Sequence, residues 1–160
     1  MSVNNNSSML IGWREWVNMP EIGVPWIKAK IDTGAQSSAL HAYELKEFTR
    51  DGDSWVSFCI HPWQRSDREP HYVELPVFDN RIIRSSSGHT EERFIVKIPL
   101  KIVGTEVTAL VSLTNRDEMG FRMLIGREAL RQGFIVDPAA SYLGGRPPKE
   151  IRNKNRKSSH

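Results

Sequence analysis

The chain is poor in cysteine: Cys59 is the only one among 160 residues, so no intramolecular disulfide can staple the fold. It has no apolar stretch approaching a membrane span. Residues 1–8 lack both the basic start and the apolar run of a signal peptide. The sequence therefore predicts a cytoplasmic protein with no membrane partner. No G-x-x-x-x-G-K-[ST] loop is present, so ATP has no phosphate cradle of that type. The histidines are His41, His61, His71, His89 and His160, and none forms the i, i+4 pair of H-E-x-x-H. His89-Thr90-Glu91-Glu92 is the nearest approach to a zinc ligand set, and it is weak. Each His reads as a structural or surface group, with His41 close enough to the motif described below to line a cleft. No metal and no cofactor is assigned.

Excess charge is scarce everywhere but at one end. The pI of 9.2 and the net charge of +3 look like a nucleic-acid signal. From Arg146 onward, however, six Lys/Arg stand against one Glu, a net of +5 that leaves −2 for residues 1–145. That tail has almost no apolar residues and is expected to be disordered or loosely attached; its charge suits plain solvation or an anionic partner such as RNA. The length suits one domain that buries its own core. The division expected is a disordered leader over 1–9, a folded domain over 10–145 and a basic tail over 146–160.

Short alternating runs fill the domain. Residues 10–17 read as a first strand, 19–25 as a turn-rich connection and 26–31 as a second strand. Residues 38–42 continue beyond it, and 43–48 read as a short irregular or helical piece. Asp51-Gly52-Asp53 turns the chain into a strand over 54–60; 61–72 read as a surface loop and 73–77 as another strand. Residues 81–84 and 91–99 flank Ser85-Ser86-Ser87-Gly88 as a mobile hairpin. Residues 101–103 and 106–113 join across a two-residue turn, Gly104-Thr105. Residues 122–126 form a last buried strand, and 127–132 form one or two helical turns stopped by Gly133. Many short strands with frequent turns predict an all-β closed barrel with one short C-terminal helix.

At the end of the second strand stands Asp32-Thr33-Gly34-Ala35, which occurs once. Aspartic peptide hydrolysis needs two carboxyl groups sharing one proton, one as base for a water and the other as donor to the carbonyl. A single copy supplies half a site, so catalysis here requires a homodimer. Gly34 lets the backbone approach the carboxylate, and Thr33 offers a hydroxyl to a facing copy. The same tetrapeptide also fits an ordinary strand-to-turn junction, because Asp, Thr and Gly favour turns.

The order of Asp32-Thr33-Gly34-Ala35, a glycine-tipped hairpin at Ser85 to Gly88, and Leu124-Ile125-Gly126-Arg127 resembles that of the retropepsins, the single-domain aspartic proteases of retroviruses. The stretch between about Glu44 and Pro76 is longer than a viral enzyme needs. A closer resemblance is to the bacterial retropepsin-like aspartic endopeptidases associated with RimK, formerly named putative ATP-dependent zinc proteases. Gly12-Trp13-Arg14-Glu15-Trp16-Val17, Lys28-Ala29-Lys30-Ile31-Asp32, Arg84-Ser85-Ser86-Ser87-Gly88-His89 and Gly120-Phe121-Arg122-Met123-Leu124 carry it, within a span of residues 12–143.

This resemblance implies an aspartic peptidase with Asp32, Thr33 and Gly34 as catalytic residues and the hairpin Ser85, Ser86, Ser87 and Gly88 closing over substrate beside Ala35. It implies as partner the ATP-grasp ligase RimK, which adds glutamates to the tail of a small-subunit ribosomal protein, and as substrate that glutamate-rich tail. Such a tail needs fixed cations, since the forked donors of Arg bind carboxylates best. Arg84 and Arg122 are the candidates for substrate, with Lys28 and Lys30 nearer the catalytic strand. Gly126 and Arg127 are assigned to structural support. In retropepsins that Arg has an Asp a few residues past the motif, whereas here Gln36-Ser37-Ser38 follows, so Arg127 needs another partner. A zinc-dependent peptidase and a non-catalytic module that binds acidic tails are the alternatives.

Overall fold

In the computed structural model, residues 8–62, 70–84, 87–114 and 120–156 are described. The alternating runs become strands, which take up most of the chain. In order they are β1 (Met9–Gly12), β2 (Arg14–Met19), β3 (Val24–Ile31), β4 (Ser38–His41), β5 (Tyr43–Arg50), β6 (Asp53–Ile60) and β7 (His71–Pro76). Then come β8 (Asp79–Arg84), β9 (Thr90–Ile102), β10 (Thr105–Thr114), β11 (Met123–Ile125) and β12 (Phe134–Asp137). The helices are α1 (Arg127–Leu130) and α2 (Lys149–Arg156), with a 3-10 turn at Pro20–Ile22.

Strand order runs β10-β4-β11-β3-β2-β9, and β9 pairs back onto β10, closing a six-stranded barrel. Period two decides which side chains fill it. In β3, Ile27, Ala29 and Ile31 point inward, while Lys28 and Lys30 on the other face stay half-exposed; Val24 is also buried, beyond a register shift. β9 and β10 contribute Val96, Ile98, Leu100, Ala109, Val111 and Leu113 to the same core. β8 lies on the outer part of β9 as an arm, in register from Asp79↔Ile95 to Arg84↔Thr90. A separate antiparallel sheet, β5-β6-β7, sends Val56, Phe58, Ile60 and Val73 into the common core.

Several elements depart from the sequence expectation. The first strand is two, β1 pairing in parallel with β12 and β2 antiparallel with β3, with the break at Trp13. Residues 43–50 are a strand, not a helical piece: Glu44 takes φ +56 and the register slips between Tyr43 and Lys46, which blurs the alternation. The turn after β9 is Val103-Gly104, at φ +49 and +81, because Ile102 pairs with Thr105. Among the described residues, α1 and α2 follow the barrel strands where one helix was expected. α2 occupies Lys149–Arg156, inside the segment expected to be disordered, and Arg152 N–H donates to the Pro148 carbonyl at 3.1 Å.

One buried carboxylate fastens the two ends of the domain together. Glu15 has no solvent exposure. Its Oε2 accepts from the backbone N–H of Gly12 at 2.7 Å and of Leu143 at 2.9 Å, and its Oε1 from Gly144 at 3.1 Å. Burial of such a group is tolerable because its oxygens are met by donors.

Candidate active site

β11 is the element that builds the site. It runs parallel to β3 and antiparallel to β4, so it lies between the strand that enters the Asp32 loop and the strand that leaves it. Asp32 N–H donates to the Ile125 carbonyl at 2.8 Å, Arg127 N–H to Ala35 at 2.7 Å and Glu128 N–H to Gln36 at 3.0 Å. Gly126 N–H donates to the Ser38 hydroxyl at 3.1 Å. The loop from Asp32 to Ser38 is thus laced, through main-chain groups and the Ser38 hydroxyl, to a segment far along the chain. Gly126 is required by space: a Cβ there would lie 2.4 Å from the Ser37 carbonyl oxygen and 2.9 Å from that of Ala35.

Within the loop, Asp32 is half-buried, and Thr33 and Gly34 are exposed. Asp32 Oδ1 accepts from Gly34 N–H at 2.9 Å, so the carboxylate is held by its own turn. A Cβ at Gly34 would sit 3.3 Å from that oxygen, which accords with glycine where the backbone comes close to the acid. Arg127 finds partners that its sequence context did not name: Nη1 donates to the Thr33 carbonyl at 3.2 Å and Nη2 to the Gln36 side chain at 2.9 Å. A main-chain carbonyl and an amide stand where the viral pattern has a carboxylate.

Among the described residues, those expected to contact substrate lie on several elements. Arg84 ends β8 opposite Thr90. Ser85 and Ser86 lie outside the described residues; Ser87 and Gly88 are exposed, and Gly88 takes φ +88. Arg122 precedes β11, its carbonyl accepting from His41 N–H at 2.8 Å. Ala35 does line a cleft of about 320 Å³, together with Gln36, Ser37, Ser38, Ala39 and Leu124. Arg81 of β8, Arg93 and Ile95 of β9, and Ser112 of β10 line the same cleft.

These two arginines were not singled out in the sequence. Only the register Arg81↔Arg93 puts them side by side, and nothing local in either run announces it. Among the described residues, no three His, Cys, Asp or Glu side chains come together as a metal group would need. Among the same residues, no helix is long and apolar enough to cross a membrane.

Comparison with known proteins places the chain in a family. Residues 10–147 match the model of a family described as RimB-like, retropepsin-like aspartic endopeptidase RimB. A protein of Desulfotalea psychrophila named probable alpha-L-glutamate ligase is 45% identical over 145 residues, covering 91% of this chain but 31% of its own length. Proteins of the same name from Shewanella pealeana (41% over 141 residues, 88% of this chain) and Parasynechococcus marenigrum (42% over 138 residues, 86% of this chain) are similar in the same way. The chain spans about a third of the length of these relatives, 31% and 29% for the last two. In three dimensions, a Legionella pneumophila protein of unknown function, Lpg0085, superposes with a TM-score of 0.73 over 86% of this chain and 99% of its own; at 24% identity that likeness concerns the fold.

Proposed function

The chain belongs to the RimB-like family of retropepsin-like aspartic endopeptidases, and from that premise we propose that it hydrolyses peptide bonds in glutamate-rich tails as a homodimer, with one Asp32 from each subunit. The observation that carries this reading is the Asp32 loop itself: a half-buried carboxylate, held by Gly34 N–H and seated on Gly126-Arg127. One such loop per chain offers one carboxyl group, and the chemistry needs two.

In the assembled site one Asp32 is ionised and takes a proton from water as the water oxygen bonds to the peptide carbonyl carbon. The partner subunit's Asp32 is protonated and donates to the carbonyl oxygen. Collapse of the tetrahedral intermediate then breaks the C–N bond, with a proton passing to the leaving nitrogen. Thr33, exposed beside Asp32, offers its hydroxyl to the facing loop. The hairpin beyond β8 would cover the bound chain and exclude water.

The relatives named probable alpha-L-glutamate ligase support the substrate class. In a chain of that name, a region similar to this one accompanies a longer remainder, and a peptidase beside a glutamate ligase would trim what the ligase adds. A RimK-type ligase and the ribosomal protein it extends are the partners this implies, in the cytoplasm.

The test is mass-spectrometric cleavage of a peptide extended with glutamates. Asp32→Asn should abolish the products while leaving the circular dichroism spectrum and melting temperature unchanged, and EDTA should leave the wild-type rate intact. Full activity in Asp32→Asn would end the proposal, as would loss in EDTA that zinc restores.

A further inference from the structure

Arg81 and Arg93 face each other across the β8–β9 pair and line one cleft beside the Asp32 loop. Like charges placed directly opposite in a sheet destabilise it, so the pairing works against the hairpin that carries it. Each guanidinium is steadied by the carboxylate two residues earlier. Arg81 Nε lies 2.9 Å from Asp79 Oδ2, and Arg93 Nη2 lies 3.3 Å from Glu91 Oε1. These contacts fix the two forks and leave donors over. Arg93 Nε is buried with no hydrogen-bond partner among the described residues. A buried N–H without an acceptor is costly, and a carboxylate oxygen that reached this one would satisfy it.

We propose that Arg81 and Arg93 form a carboxylate-binding subsite that takes an acidic side chain of the peptide and so selects for glutamate next to the bond cleaved. The other walls fit that ligand. Ala35, Gln36 and Ser37 belong to the loop that carries Asp32, so a peptide lying along it would place a neighbouring side chain in the cleft. Ser38 and Ser112 add small polar groups, and Ile95 and Leu124 add apolar lining for a methylene stem. Asp79 and Glu91 offset the net charge of the pair, which makes the fork geometry, more than long-range attraction, the basis of selection. The inference rests on the peptidase reading for its substrate, but its binding step is separable from the chemistry at Asp32.

Binding can be read without cleavage, in the Asp32→Asn background, by fluorescence anisotropy of labelled pentaglutamate and pentaglutamine peptides at one salt concentration. Arg81→Gln and Arg93→Gln should each weaken pentaglutamate about tenfold or more, as loss of a hydrogen bond to a charged group implies. Pentaglutamine binding should not change. Failure of the parent to bind pentaglutamate, equal losses for both peptides, or no loss in either variant would overturn the subsite. Should Arg93→Gln fail to fold, Arg81→Gln decides alone, because Arg81 lies on the exposed arm. A peptidase reading that fails at Asp32 leaves this result standing, and a failed subsite leaves the Asp32 chemistry standing.

Discussion

A methyl group added at Gly126 would set a carbon 2.4 Å from the carbonyl oxygen of Ser37, a main-chain atom that cannot swing aside. Gly126→Ala is therefore expected to cost about 3 kcal/mol, the upper end of what overpacking usually costs, because loop and β11 must separate. Urea denaturation measures it, and a midpoint shift near zero would mean that the loop yields. Such residues were legible in the sequence because their chemistry is local. A carboxylate followed by glycine, and an apolar pair followed by Gly-Arg, state their backbone needs within a few positions. The partners of Arg127 were not legible. Thr33 contributes a carbonyl that any residue would have, and Gln36 is recognised only once the loop has folded back. Arg81 and Arg93 escaped for a related reason, since adjacency across strands is set by register rather than by spacing.

At the scale of elements, strong alternation announces a strand and weak alternation does not. β9 alternates cleanly from Val96 to Ile102, burying Val96, Ile98, Leu100 and Ile102. β5 keeps nearly every side chain at least partly exposed, and its bulge shifts the phase, so its sequence carried little strand signal. α2 was missed because its residues are almost all polar, which is also how a solvated tail reads. The contact between β2 and the segment after β12 was hidden as well. Nothing before folding connects Glu15 to Leu143 and Gly144. Glu15→Ala should cost about 2–4 kcal/mol, since the buried N–H of Gly12 loses its acceptor and the two later N–H groups lose theirs. Thermal melting together with hydrogen exchange at those three amides checks the origin of the loss. A drop in stability with no change in exchange there would assign it elsewhere.

For the whole molecule, the barrel was foreseeable from the number of short strands, while its closure through β9 and β10 needed the registers. The proposed dimer makes a stoichiometric prediction. If each site takes one Asp32 from each of two copies, then equilibrating wild type with an equal amount of Asp32→Asn should leave about half the activity of the wild type alone, because mixed pairs are dead. A site complete in one chain would keep it all. Sedimentation across the same concentrations should place the loss of activity on dilution with the loss of the dimer.

The lacing of the Asp32 loop to Gly126-Arg127 also allows the chain to be used in two pieces. The turn at Asp51-Gly52 is exposed, and no atom outside its chain neighbours lies within 4 Å of a Cβ built on Gly52. A break there leaves Asp32 on one fragment and the shelf beneath it, Gly126 and Arg127, on the other. Each half alone would hold an unsupported acid or an empty shelf, and proteolysis would report that two fusion partners carrying the halves had met.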